Sequence, residues 1–362
     1  MSCNEKVAFV LHPDLDLVIR NAKAVKPGKE IREELILKMF EWLPPFKHMD
    51  CDSLSLDGEH SVPGAFYIVP FLPEMETVKK DDIVKKIDQG LGLAKSQGCT
   101  VAAMAGFTSI MIQGLEKDLA KKHDIRITSG NTLTSAIVIH SVEEIAEKCA
   151  VDFQDATVAI IGASGDIGSG CFLYFAERAG KMILTARGLA PLNEFVNKYR
   201  GFFDCEIEVT DDNRYAADRA DIIILATSSY TTIFDLQDFR PRKIVCDASV
   251  PPNVQADPAA LRDDIFVYHG GIAVLPFHLN HGLNIGLAKG NHLHGCQTEG
   301  LLNALHPDLP CSIGRGNITA RRISKFLRLM EKYPSLGVAF SIGNKEYTPE
   351  EIEAYAQRWR KG

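Results

Sequence analysis

Short apolar runs alternate with longer amphipathic stretches over most of the chain, a pattern that predicts an α/β protein. Residues 7–11 (VAFVL) read as a buried strand, and a mixed polar and apolar stretch leads to a break at Lys26, Pro27 and Gly28. Over residues 30–43, Ile31, Leu35, Leu37, Met39, Phe40 and Leu43 fall close to a helical stripe that Pro44-Pro45 ends. Trp42 and Phe46 flank that end, and core packing is their expected role, ahead of contact with a membrane or an acyl chain. Residues 65–72 (AFYIVPFL) form a strand that Pro70 shortens or confines to an edge. An amphipathic helix over 81–96 has Ile83, Val84, Ile87, Leu91 and Ala94 on one face. Residues 100–104 and 125–128 read as strands, 109–119 as a helix, and 132–149 as a long helix joining two domains.

The pattern is sharpest over residues 156–187, which read as strand, glycine-rich turn, helix and second strand. Val158 to Ile161 are apolar and mostly β-branched, and Gly162, Gly165 and Gly168 follow at three-residue spacing. Such a turn lets backbone approach a pyrophosphate, with the helix N-terminus supplying N–H donors and a favourable dipole. The spacing G-x-x-G-x-x-G departs from G-x-G-x-x-G, because Ala163 and Ser164 separate the first two glycines. Gly162, Ser164, Gly165, Ile167 and Gly168 are therefore candidate cofactor-binding residues. The second strand ends at Arg187, where an NAD site usually carries a carboxylate for the ribose hydroxyls. A cation there suits the 2′-phosphate of NADP. Further strands at 205–209, 221–227, 243–247 and 265–268 continue the alternation. Parallel strands of this kind place ligands at their carboxyl ends, so Thr227 to Ser229, Asp247 to Ser249 and Gly270-Gly271 are expected near the nicotinamide, Thr227 among the binding residues. Helices are expected at 296–305, 319–333 and 349–360. The fold class is thus a Rossmann-like doubly wound parallel sheet plus an N-terminal α/β domain and a helical C-terminal part. The expected divisions are 1–135 for substrate, 136–290 for NADP, and 291–362.

Composition narrows the function classes. The 362 residues can bury a large core, and 46% hydrophobic with 24% charged residues is ordinary for a globular protein. A formal net charge of -7 argues against a general nucleic-acid binder. The 9 cysteines show no CxxC pairs, which fits a reducing compartment. With no signal peptide at the start and no apolar stretch long enough for a bilayer, the expectation is a cytoplasmic protein.

The densest candidate chemistry is HLNHGLNIGLAKGNHLHGC, holding His278, His281, His292, His294 and Cys296. One reading is a nucleophilic cysteine, its thiolate favoured by an imidazolium and by the N-terminus of the helix that Gly295-Cys296 opens. Another is zinc, but the spacings are not those of a standard site, and no metal is expected. A third is a buried cysteine beside loop histidines. Thr128-Ser129-Gly130-Asn131-Thr132 precedes the long helix, which Asn131 or Thr132 could cap. Glu74 receives no catalytic role, since a lone carboxylate is usually a solvated surface group.

Eight segments fall in the order of one family: FLPEM at 71–75, AGFTSI at 105–110, TSGNTLTSA at 128–136, VAIIGASGDIGS at 158–169, TAR at 185–187, HGGI at 269–272, GCQTEGLL at 295–302 and GRGNIT at 314–319. On these the chain resembles the long-chain acyl-[acyl carrier protein] reductases, the aldehyde-forming enzymes of cyanobacterial alkane biosynthesis. The resemblance implies that Cys296 takes a fatty acyl group as a thioester, which NADPH then reduces to the aldehyde. It implies a fatty acyl thioester substrate, carried on acyl carrier protein or coenzyme A, and allows a peripheral membrane contact. It assigns no role to the histidines. The family motif more often reads A-C-F-A-E-A/G, where residues 295–300 are GCQTEG. Acyl carrier protein is acidic, so Arg315, Arg321 and Arg322 are candidate docking cations. Two other readings remain: a shikimate-type dehydrogenase, against which Leu133 stands where that family has Asp after its N-T pair, and a non-catalytic NADP-binding sensor.

Overall fold

The computed structural model describes residues 5–28, 31–73, 78–280, 286–314 and 317–361. Glu74, His281 and Arg315 lie outside the described residues. The chain forms two units, Met1–Asn131 with Val274–Asn317 and Tyr333–Leu336, and Thr132–Ala273 with Ile318–Lys332 and Gly337–Gly362.

The first unit opens with β1 (Val7–Leu11), α1 (Leu15–Val25), α2 (Glu33–Trp42), β2 (Phe46–Ser55), β3 (Ser61–Ile68) and α3 (Lys80–Ser96). It continues with β4 (Val101–Met104), α4 (Phe107–Met111), α5 (Glu116–His123) and β5 (Arg126–Thr128). The strands form a 5-stranded sheet in the order β2-β3-β1-β4-β5, parallel except for the β2–β3 pair. β1 and β4 consist of apolar residues because both their faces are covered. On one face Ala8, Val10, Ala102 and Met104 meet Ile83, Ile87, Leu91 and Ala94 of α3.

Several elements differ from the sequence reading. β2 (FKHMDCDSLS) buries only Cys51 and Leu54, so this half-polar edge strand offers no apolar run. The mixed stretch after β1 is α1, which Asp14 caps by accepting the Leu17 N–H at 2.6 Å. The single helix expected at 109–119 is two, with Gly114 at φ 89° between them. Trp42 is 86% exposed and Phe46 41%, so core packing is not their role. α2 buries Ile36 and Phe40, which turns Leu35, Met39 and Trp42 outward.

α6 (Asn131–Lys148) leads into the second unit, and most of its residues are buried. There follow β6 (Thr157–Ile161), α7 (Asp166–Phe175), β7 (Lys181–Thr185), α8 (Leu189–Asn197) and β8 (Glu206–Thr210). Next come α9 (Asn213–Arg219), β9 (Ile222–Leu225), β10 (Lys243–Asp247) and β11 (Ile265–His269). These strands make a 6-stranded parallel sheet in the order β11-β10-β9-β6-β7-β8. That is the doubly wound order of dinucleotide-binding folds, with its switch point between β6 and β9.

The C-terminal segment is shared between the units. α10 (Gly295–Leu305) belongs to the first, and α11 (Ala320–Lys332) and α12 (Pro349–Lys361) to the second. α10 covers the face of the first sheet opposite α3: a Cβ on Gly300 would sit 2.4 Å from that of Ala103. In the second unit Tyr355 and Tyr347 donate hydroxyl hydrogen bonds to the carbonyls of Lys243 and Val267, both at 2.8 Å. Among the described residues no helix is long and apolar enough to cross a membrane.

Candidate active site

In the second unit the carboxyl ends of β6, β7 and β9 gather the predicted nucleotide-binding residues. The Thr185 carbonyl accepts the N–H groups of Gly162 and Ala163 at 3.0 and 2.9 Å, which folds the turn back against β7. Gly162 has φ 89°, and a Cβ there would lie 2.6 Å from the carbonyl oxygen of Ala226. Only glycine satisfies both conditions. Gly168 presses on the same turn, its absent Cβ falling 2.4 Å from the Gly162 oxygen. Gly165 is the N-cap of α7 and brings no side-chain cap, while Ser164 is exposed and Ile167 half-buried in the first turn. The opening N–H groups of a helix lack intrahelical partners and favour an anion.

Arg187 is exposed just beyond β7 and lies 3.5 Å from the Ser228 hydroxyl, so the two strand ends meet at a cation. Thr227 is tied into the scaffold: its hydroxyl donates to the Asn253 side-chain oxygen and accepts the Ser229 N–H at 3.0 Å. Beneath it, buried Asp247 accepts N–H groups from Ser249, Asn253 and Val254. Burial nevertheless pushes its carboxyl up to about 6. Asp247 and Asn253 shape the strand-end loop, a role that residue type alone did not reveal.

In the first unit Cys296 stands in the opening turn of α10, with His294 as the N-cap residue. The turn after β5 lies directly on it. Gly130, at φ 68°, has its absent Cβ position 2.1 Å from the Cys296 Cα, so no larger residue fits. Thr128 and Glu299 fix this junction. The Thr128 hydroxyl donates to Glu299 Oε1 at 2.6 Å, and the same oxygen accepts the Ser312 N–H at 3.0 Å. Arg126 pairs with Glu5 at 2.7 Å and donates to the carbonyls of Asn303 and Pro307, anchoring the far end of α10.

Cys296 is half-buried, whereas Cys51, Cys99, Cys149, Cys171 and Cys246 are buried. Burial pushes its thiol up to about 11, and the negative charge of Glu299 adds to that. The N–H groups of Gly106, Gln297 and Cys296 itself pull the other way. The helix N-terminus thus acts as expected, but desolvation wins. His292 is buried, and His278 lies in a loop. The Gln297 amide oxygen is buried without a hydrogen-bond partner among the described residues.

The residue that sequence reading missed is His12, directly after β1. The pairing of β1 with β4 brings it beside the Gly106–Phe107 turn, and no local pattern in the sequence contains that order of strands.

Residues 144–269 match the family model of shikimate / quinate 5-dehydrogenase. A long-chain acyl-[acyl-carrier-protein] reductase of Synechococcus elongatus is 28% identical over 56% of this chain and 60% of its own length. The aminotransferase PigE of a Serratia species is 23% identical over 83% of this chain and 36% of its own. A glutamyl-tRNA reductase of Aquifex aeolicus is 25% identical over 58% and 50%. The chain therefore spans less than two thirds of each of these relatives. The family model and two of the three relatives are dehydrogenases or reductases by description.

Proposed function

We propose that the protein reduces a long-chain fatty acyl thioester to a fatty aldehyde with NADPH, through an acyl group held on Cys296. The observation that carries the reading is the placing of Cys296 in the first turn of α10, under the turn after β5, in a chain that also holds a glycine-rich turn at a sheet switch point. The similarity to the Synechococcus reductase supports the substrate class.

The second unit fits the cofactor. The Gly162–Gly168 turn leaves backbone exposed to the diphosphate, and Arg187 would hold the 2′-phosphate. When bound, NADPH supplies the hydride. Cys296 Sγ attacks the thioester carbonyl, a new C–S bond forms, and the bond to the carrier sulfur breaks. The carrier leaves as its thiol with the proton that Cys296 gave up. Once reduced, the acyl oxygen takes up one proton from solvent to give the thiohemiacetal; its bond to Cys296 then breaks, and the hydroxyl proton passes to sulfur as the aldehyde departs. Covalent capture replaces one difficult exchange by two easier steps and keeps the acyl carbon in place. The opening N–H groups of α10 and that of Gly106 favour negative charge at the sulfur.

The test is incubation with labelled long-chain acyl thioester, without NADPH, followed by intact mass. Wild type should gain one acyl adduct, and Cys296→Ala none. An adduct and aldehyde from the Ala variant would overturn the mechanism. The match over 144–269 favours a second reading, a dehydrogenase of a small alcohol that needs no thiol. Inactivation by thiol alkylation, with protection by acyl thioester, separates the two. Exposed Arg321 on α11 is the docking cation we assign to an acidic carrier, and comparing carrier protein with coenzyme A substrates checks it.

A further inference from the structure

We propose that His12 is a positioning residue for Cys296, holding the Gly106–Phe107 turn so that the Gly106 N–H stays directed at the cysteine sulfur. The inference rests on the reading of Cys296 as the nucleophile. His12 follows β1 and the turn follows β4, neighbouring parallel strands whose carboxyl ends lie side by side.

The tautomer follows from the partners. His12 Nδ1 is 2.9 Å from the Pro13 carbonyl oxygen, which can only accept, so Nδ1 carries the proton. Nε2 is then an acceptor, and it takes the Phe107 N–H at 3.0 Å. That N–H opens α4, whose N-cap, Gly106, supplies no side-chain cap. The imidazole does the capping from another strand. The ring is fixed in turn, stacked on Phe71 at 4.6 Å and edge-on to Phe107 at 5.8 Å. Desolvation lowers its pKa to about 4, which keeps it neutral and able to accept near pH 7.

The turn needs such a hold. Gly106 adopts φ 60° and ψ −137°, outside the helix and strand regions, and a Cβ on it would fall 2.9 Å from His12 Nε2. The Gly106 N–H is among the backbone donors that favour the Cys296 thiolate. Losing the acceptor at Nε2 frees the turn, and the sulfur loses a donor that its own helix cannot replace.

The experiment measures iodoacetamide alkylation of the Cys296-containing peptide at pH 8, by mass spectrometry, in wild type, His12→Gln and His12→Asn. The Gln carbonyl reaches the place of Nε2 and can accept the Phe107 N–H; the shorter Asn cannot. Removing one donor to a charged sulfur should slow alkylation about tenfold in His12→Asn and leave His12→Gln within about threefold of wild type. His12→Ala replaces the Asn variant should that one not fold. Wild-type reactivity in the acceptor-less variant overturns the proposal, and so does a Gln variant as slow as it or unfolded. Alkylation needs no acyl substrate, so this outcome stands apart from the acyl-adduct test of Cys296→Ala.

Discussion

At the scale of single residues, charge decides more than size. Arg187 stands where a carboxylate would receive the ribose hydroxyls of NAD, and its guanidinium is exposed beside Ser228. Replacing it by Ser should weaken NADPH binding by the worth of one charge-assisted hydrogen bond, roughly 1.5–3 kcal/mol or 10- to 150-fold, and leave NADH unchanged. KM values for both nucleotides check this, and equal losses for the two would remove the assignment. Glu299 acts on the other centre. Its buried carboxylate accepts hydrogen bonds from Thr128 and Ser312, and its charge adds to the burial that raises the thiol of Cys296. Glu299→Gln keeps an acceptor while deleting the charge, so alkylation of Cys296 at pH 8 should quicken several-fold. A slower reaction would mean that placement by Glu299 outweighs its field.

At the scale of elements, legibility followed burial. The β6–α7–β7 segment was plain because its strands are buried on both faces and its glycines mark the turn. β2 was not, since alternate charges on a half-solvated edge strand hide the pairing with β3. Cys296 could not be picked from nine cysteines by spacing; similarity raised it, and geometry then set it under Gly130. Glu299 carries no signal of its burial, since a carboxylate inside a helix is usually solvated, yet it is fully buried. His12 needed the order of strands, which no local pattern contains. Gly130 and Gly106 looked like ordinary loop glycines until the atoms pressing on them were in place.

At the scale of the whole molecule, proton uptake couples stability to pH. Folded His12 takes its proton near pH 4 and the unfolded residue near 6.5. Between those values the unfolded chain binds more protons, so this contribution is complete above pH 6.5 and is lost as pH falls toward 4. The largest slope from one such group is roughly 1.4 kcal/mol per pH unit. Asp247 runs the opposite way: its folded pKa of about 6 makes the fold bind more protons between pH 3.8 and 6, so its contribution is lost as pH rises through 6. Denaturation midpoints of wild type and His12→Gln, compared from pH 7 to 4, isolate the first term. The gap between them should change in favour of the variant as pH falls, and a constant gap would contradict it.

The order in which the chain builds its first unit has a consequence for synthesis. β1 and β4 are made early, but α10, which covers Val7 and Ala103 through Gly300, emerges only after the whole sheet of the second unit has been translated. Until then one face of the first sheet has no helix to dry it, and loop closure across so many residues is slow. A nascent chain in that state carries an apolar surface of the kind chaperones shield. The same late helix carries Cys296, so this cysteine reaches its place under Gly130 only when the sheet is finally closed.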